Sequence, residues 1–293
     1  MDSFAPKLVL VPIDFSETAA HALRYASALA ERFDAHLFVI YADPFVPPID
    51  FTGAASGEFA VSRGQMIDDT AEELIRYAEQ NISEKVPYDT RVVVDSAIRG
   101  ILNQTSEAGC DLIVMGTHGR TGVRRLVVGS VTETIMRTSS IPVIAVNALA
   151  TESAAVSRVL CPVTYDGACR DALRQAAALT GASKAPLILL LAVENGDAKE
   201  TTDELMRLRS WIPAELVDRC ELKIVPAQAS AEQILAMANA TSADLIALGA
   251  ERKAGMAGVI RGTIAERVVQ HSGCPVLTVS GAGVQSPTAV GSA

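Results

Sequence analysis

The chain has 293 residues, with 25 Lys and Arg against 34 Asp and Glu, a formal charge of −9. The length predicts about two domains, and the acidic balance excludes a sequence-blind binder of nucleic acid or anionic membrane, either of which needs a basic footprint. Hydrophobic residues make up 49% and aromatics only 4%, so the core is built from Ala, Val, Leu and Ile, as buried parallel strands and Ala-rich helices require.

In chain order, Leu8–Ile13 is a continuous apolar run fit for a buried parallel strand. Thr18–Phe33 follows with Ala22, Ala26, Leu29, Ala30 and Phe33 at helical spacing. Leu37–Tyr41 reads as a second strand, and Met66–Asn81 as a helix with charged outer faces. Between them, Asp43 to Gln65 carries Pro44, Pro47, Pro48 and three glycines. It is expected to be a loop, either a lid over a site or an unstructured excursion. Arg91–Val94, Leu112–Met115 and Val143–Val146 complete five strands, with helices over Ile98–Ala108 and Ser130–Thr138.

The pattern then repeats. Leu10-Val11-Pro12-Ile13 returns as Leu160-Cys161-Pro162-Val163 at an offset of 150, and Asp111-Leu112-Ile113-Val114-Met115-Gly116 returns as Asp244-Leu245-Ile246-Ala247-Leu248-Gly249 at an offset of 133. The second copy is shorter by 17 residues, lost between its second and third strands. We therefore expect an α/β protein of two tandem Rossmann-like domains, each a five-stranded parallel sheet between helices. The expected boundaries are residues 1–150 and 155–281, with a disordered tail over 282–293. The longest apolar stretch, Ala185 to Val193, falls far short of the roughly 20 residues that span a bilayer. No basic segment followed by an apolar one opens the chain, which argues against secretion. Five cysteines form no Cys-x-x-Cys pair and read as core residues of a reducing cytosol. A cytoplasmic location is expected.

Ligands on such sheets sit beyond the carboxyl ends of the strands. There the first strand ends in Pro12-Ile13-Asp14-Phe15-Ser16, and the fourth ends in Gly116-Thr117-His118-Gly119-Arg120, followed by Gly129-Ser130. The spacing Gly-x2-Gly-x9-Gly-Ser is neither a Walker A loop nor a GxGxxG turn. It still suits phosphate, because glycines let backbone N–H groups approach an anion and a helix N-terminus follows. Asp14 is placed to accept hydrogen bonds from a ribose. The competing structural reading of Ser130-Val131-Thr132-Glu133 is a capping box, repeated at Thr263-Ile264-Ala265-Glu266. Arg120, Arg124 and Arg125 either meet a phosphate or form a solvated basic loop. No HExxH, clustered His/Cys, EF-hand or GxSxG pattern is present, so neither a dedicated protein metal site nor a catalytic residue is assigned.

On Pro12-Ile13-Asp14-Phe15-Ser16, the glycines Gly116, Gly119 and Gly129 with Ser130, and the closing Ile141-Pro142-Val143-Ile144-Ala145-Val146, the chain resembles the universal stress proteins, in their ATP-binding branch. The resemblance implies an adenine nucleotide alpha hydrolase-like fold in two copies that pack as an internal pseudo-dimer. It implies ATP, with any Mg held mainly by the nucleotide. Asp14 would hold the ribose, while Pro12, Ile13, Tyr41 and Met115 border the adenine. Gly116, His118, Gly119, Arg120, Gly129, Ser130 and Val131 would surround the phosphates. The second half departs from the motif, with Thr164 in place of Asp14 and Arg252 in place of Gly119, and is expected to have lost the nucleotide. The function implied is a stress-response regulator, hydrolysing ATP slowly at most and acting on a protein partner the sequence does not identify. A homodimer beyond the internal pair stays open. The alternatives are a nucleotide-free interaction module and, less favoured, an enzyme of the related nucleotide-hydrolase group, whose SGGxDS-type loop is absent.

Overall fold

The computed structural model describes residues 5–44, 55–118, 128–151, 153–193, 198–226, 230–250 and 264–280. The first half gives β1 (Leu8–Ile13), α1 (Glu17–Phe33), β2 (His36–Asp43), α2 (Ala55–Asn81), β3 (Tyr88–Val94), α3 (Ala97–Ala108), β4 (Leu112–Gly116), α4 (Ser130–Thr138) and β5 (Val143–Val146). The second gives β6 (Val159–Pro162), α5 (Gly167–Leu179), β7 (Leu187–Val193), α6 (Ala198–Trp211), β8 (Cys220–Pro226), α7 (Ala231–Thr241), β9 (Leu245–Ala250), α8 (Ile264–His271) and β10 (Val276–Ser280).

One expectation needs correction. The segment read as a loop through Gln65 is helical from Ala55, the first residue of α2. Gly57 and Gly64 lie in that stretch, and each costs a helix about 1 kcal/mol relative to alanine. Tertiary packing of the same helix, through the buried Leu74 and Ala78, overrides that local preference. Residues 45–54, the rest of the expected lid, and the tail over 282–293 lie outside the described residues.

The strands form one sheet of ten, in the order β3-β2-β1-β4-β5-β10-β9-β6-β7-β8. Neighbours within each half run parallel. The halves meet antiparallel, Val143 against Thr278 and Ala145 against Val276. Successive side chains of a strand face opposite sides: Val9 and Val11 join one core layer, under α1, α2, α5 and α6, while Leu10 joins the other, under α3, α4, α7 and α8. Among the described residues no helix is long and apolar enough to cross a membrane.

The repeated Asp-Leu-Ile has a structural cause. The Asp111 carboxylate accepts from the amides of Lys7 (2.8 Å) and Leu8 (3.4 Å), tying the start of β4 to the start of β1. Asp244 does the same for Ser157 (2.8 Å) and Arg158 (3.0 Å) in the second half.

The seam carries its own reciprocal bonds. The side-chain amide of the buried Asn147 donates to the carbonyls of Ser272 (2.6 Å) and Val269 (3.2 Å), and its oxygen accepts from Leu149 (2.8 Å) and Ala150 (3.0 Å). In return the Ser280 hydroxyl donates to the Ser139 carbonyl. Asn147 and Ser280, like Ser139 and Ser272, stand 133 positions apart, so the two bonds are related by the repeat. Helix α1 holds the connecting segment: His21 Nε2 meets the Ala150 carbonyl at 2.7 Å, and Arg32 donates to the Ala154 carbonyl at 2.9 Å. Replacing Asn147 with Ala strands these buried groups. Asn147→Ala is expected to lower stability by about 1–3 kcal/mol for each group so orphaned, read as a lower urea midpoint at unchanged slope.

Candidate functional site

Chain direction in a parallel sheet sends β1, β2 and β4 out at the same edge, and a cleft opens there. It contains about 810 Å3 of space free of protein atoms, partly open solvent, and is bounded by Pro12, Ile13 and Asp14 of the β1 end, Tyr41 and Ala42 of β2, and Met115, Gly116 and His118 of the β4 end. Helix α3 contributes Ala97 and Ile101, and the start of α4 contributes Gly129, Ser130, Val131 and Thr132. The apolar side chains of β2 and α3 thus lie on one side of β1 and the α4 N-terminus on the other.

The turn after β1 sets the direction of Asp14. Phe15 adopts φ 61°, a left-handed conformation that costs a non-glycine residue roughly 1–2 kcal/mol. Aromatic packing holds it there, with ring centroids 5.0 Å from Tyr41 and 5.3 Å from Tyr77. The Tyr77 hydroxyl donates to the Ser16 carbonyl at 2.9 Å. Burial first, then the charges of Asp14 and Glu17, pushes the Tyr77 hydroxyl well above its ordinary pKa, so it remains a donor. One Asp14 oxygen accepts from the Ser16 amide at 3.1 Å, and the Ser16 hydroxyl in turn caps α1 at the Ala19 amide, 3.2 Å away.

At the other side the helix start is left unspent. Gly129 is the N-cap of α4, at φ −61° and ψ 142°, and no side chain caps the helix. The capping-box reading of Ser130 is therefore corrected: Ser130 is the first helical residue, one position too late for its hydroxyl to cap. The Gly129 amide donates to the Thr117 carbonyl at 2.8 Å, and the Thr132 hydroxyl donates to the Gly116 carbonyl at 2.8 Å. The amides of Ser130, Val131 and Thr132 have no acceptor among the described residues. Three N–H groups at the positive end of a helix dipole are the donor type that suits an anion.

The glycines divide by cause. A Cβ on Gly116 would stand 2.8 Å from the Thr18 carbonyl oxygen, backbone that cannot swing away. Gly116 is therefore glycine so that the first turn of α1 can pack on β4, not to admit a ligand. Gly249 is the same case, its Cβ position blocked by the Cys169 amide, so its presence in the second half says nothing about a ligand there. A Cβ on Gly129 would make an ordinary 3.4 Å contact with the Thr117 carbonyl. Gly119 and Arg120, with Arg124 and Arg125, lie outside the described residues. Of the sequence-predicted residues, Pro12, Ile13, Asp14, Tyr41, Met115, Gly116, His118, Gly129, Ser130 and Val131 all border this one cleft. Ala19, Ala42, Ala97, Ile101 and Thr132 line it as well, outside the set expected from sequence. The signal of Ala97 and Ile101, apolar residues at helical spacing in α3, reads in sequence as ordinary core.

In the second half the corresponding strand end is rearranged. The Thr164 hydroxyl donates to the Asp166 carboxylate, which is already spent capping α5 at the Cys169 amide, 2.7 Å away. Arg252, Gly262 and Thr263 lie outside the described residues. No group of three or more His, Cys, Asp or Glu converges among the described residues to hold a metal.

Comparison with known proteins agrees with this architecture. The model of the universal stress protein family matches residues 6–147 and again 155–280. The chain belongs to the universal stress protein family. A universal stress protein of Mycolicibacterium smegmatis is 22% identical over 295 residues, 92% of this chain and 96% of its own. One of Methanocaldococcus jannaschii is 27% identical over 141 residues, 48% of this chain and 81% of its own, and so corresponds to a single half. The crystal structure of a universal stress protein from Archaeoglobus fulgidus superimposes with a TM-score of 0.72 at 19% identity, covering 94% of this chain and 99% of that one. This last likeness establishes the shared fold. For this universal stress protein the two glycine classes separate by mutation. Gly116→Ala is expected to destabilise by roughly 1–3 kcal/mol through forced backbone movement, and Gly129→Ala to stay within about 0.5 kcal/mol. Urea unfolding of the two variants checks the contrast.

Proposed function

We propose that the first half binds an adenine nucleotide, ATP, and that the protein is a cytoplasmic stress-response regulator whose interaction with a protein partner depends on nucleotide. The observation that carries this reading is the joint placement of Asp14 and the three unpartnered α4 amides around one cleft. In this arrangement Asp14 accepts from the ribose hydroxyls and the amides of Ser130, Val131 and Thr132 receive phosphoryl oxygens. The apolar pocket of Ile13, Ala42, Ala97, Ile101 and Met115 takes the base. Gly119 and Arg120 are assigned to the phosphates by the family resemblance.

The residues present fit the nucleotide: donors face its anionic end, a carboxylate its sugar, and apolar side chains its flat base. A magnesium ion would be ligated chiefly by the phosphates, whose charge it offsets, since the described residues offer no ligand cluster. Among the described residues the cleft supplies donors for holding a nucleotide and no general base paired with an orienting acid. Slow hydrolysis at most is therefore part of the proposal. The second half, with Thr164 for Asp14 and the Asp166 carboxylate committed to capping, is assigned a partner role without nucleotide.

Ser130→Pro tests the reading on one atom set. Proline is favoured at the first helical position, and Gly129 already has the extended conformation a residue before proline adopts. The variant is expected to fold and to lose one charge-assisted amide bond, about 1.5–3 kcal/mol of ATP binding, on the order of a tenfold or greater rise in Kd. Wild type with ATP at about 100 times its Kd gains ~2.7 kcal/mol of stability, visible as a higher melting temperature. Folded wild type that shows no shift with ATP, ADP or AMP refutes the proposal.

A further inference from the structure

His118 is built into the cleft wall in a way that binding by amides alone does not explain. Its Nδ1 lies 2.8 Å from the Thr117 hydroxyl oxygen, and Thr117 is 0% exposed. Its own carbonyl accepts from the Thr18 hydroxyl at 2.7 Å. The ring is therefore held at Nδ1 and the backbone at its carbonyl. Its other nitrogen, Nε2, is shielded from solvent and has no hydrogen-bond partner, although the residue borders the cleft beside Gly129 and Ser130. A shielded polar atom without a partner costs about 1–3 kcal/mol. Nothing among the described residues supplies that partner, and the cleft that His118 borders can admit one.

We propose that His118 takes up a proton when a phosphate-bearing nucleotide binds, donating Nε2–H to a phosphoryl oxygen, so that affinity for such ligands rises as pH falls. The inference rests on the nucleotide reading above and adds a titrating contact to it. The Thr117 hydroxyl accommodates both states of the ring. It donates to Nδ1 of a neutral imidazole, or accepts from Nδ1–H of the imidazolium. The acids on the elements packed against the ring are Asp14 at the end of β1, Glu17 in the first turn of α1 and Glu133 in the first turn of α4. Glu133 is engaged with Arg137 at 3.8 Å, and Asp14 with the Ser16 amide. In sequence, Arg120, Arg124 and Arg125 follow His118, and cations oppose a second positive charge. Burial holds the imidazole below its ordinary pKa of 6.5, so the free protein keeps it neutral near neutral pH. An incoming phosphoryl group reverses the balance, because an adjacent negative charge favours the protonated form.

The sign follows from linkage. With the bound-state pKa above the free-state pKa, the gain in affinity is fully present below the free-state value. It declines as pH rises through the bound-state value and vanishes above it. Between the two, one proton changes affinity by at most about tenfold per pH unit.

The experiment is isothermal titration calorimetry of the full chain with ATP and with adenosine from pH 5.5 to 8. Two buffers of different ionisation enthalpy are used, for wild type and for His118→Gln. Glutamine keeps a donor but does not titrate, and the titration of the terminal phosphate itself cancels in the difference between the two proteins. The expected result is net proton uptake with ATP in wild type relative to His118→Gln, a several-fold steeper rise in ATP affinity toward low pH, and no such difference with adenosine. In parallel, NMR titration of the His118 ring in wild type is expected to give a higher pKa with ATP than without, which needs no variant to fold. ATP binding with the same pH profile and proton count in both proteins, and an unmoved ring pKa, overturns the inference while leaving the nucleotide site standing. Absence of ATP binding by folded wild type at every pH overturns both.

Discussion

The close approach of α1 to β4 is the constraint on which the cleft depends. Only a glycine at 116 admits the Thr18 carbonyl at that range, and the Thr18 hydroxyl then fixes the first residue past Thr117 by bonding the His118 carbonyl. With the β4 exit pinned, the Thr117 carbonyl is positioned to accept from Gly129 and the Gly116 carbonyl to accept from Thr132. Those two bonds place the start of α4 beside the end of β1. The three amides, without an acceptor among the described residues, and Asp14 therefore border one space because a packing contact between a helix and a strand sets the path of the backbone. Their alignment comes from the same backbone that builds the core, so the site is preorganised at no separate conformational cost.

The two halves show how one framework separates from one site. Features that hold the backbone recur in both: the left-handed residue after the first strand, Phe15 and Tyr165, the Asp111 and Asp244 clamps, and the packing glycines Gly116 and Gly249. The acid and cap at the end of the first strand do not recur. Ser16 caps α1 and leaves Asp14 beside the opening, whereas Asp166 caps α5 and takes the Thr164 hydroxyl as well. The aromatic support differs too: Tyr165 packs on Trp211 at 5.8 Å and under Arg207 at 4.0 Å. Residues such as Gly116 that also pack the framework are constrained alike in both halves, whereas Asp14, which does not, is replaced by Thr164.

This division also explains what the sequence made legible. Asp14, Met115 and Ser130 could be named because a parallel sheet delivers its strand ends to one edge, a rule that needs only strand positions. Ala97 and Ile101 could not, since an apolar residue at helical spacing looks the same whether it meets another helix or a ligand. Gly116 borders the cleft, but the close approach of Thr18, not a ligand, requires glycine there. The sequence gives no means of telling a glycine required by Thr18 from one required by an anion, although its recurrence at Gly249 pointed to packing. Ser130-Val131-Thr132-Glu133 matched a capping box because residue type cannot reveal that Gly129 takes the extended conformation and pushes the serine into the helix. The early start of α2 was hidden by Gly57 and Gly64, whose local penalty is outweighed by a burial the window does not contain.

Helix α4 joins the cleft to the seam. Its N-terminal amides face the site, and just past its C-terminus the Ser139 carbonyl accepts from Ser280 of the other half. The helix has nine residues, about 13 Å at 1.5 Å per residue, a length over which it behaves as a rigid rod. Its inner face, Ile135 and Met136, is fully committed to the core layer shared with α8. Any group drawn toward the amide end thus acts on a body whose far end is bonded to β10. Because both halves lie on one chain, that seam forms at the effective concentration of a tether rather than at the concentration of the protein. The second half thereby completes the sheet against which the α4 end is held.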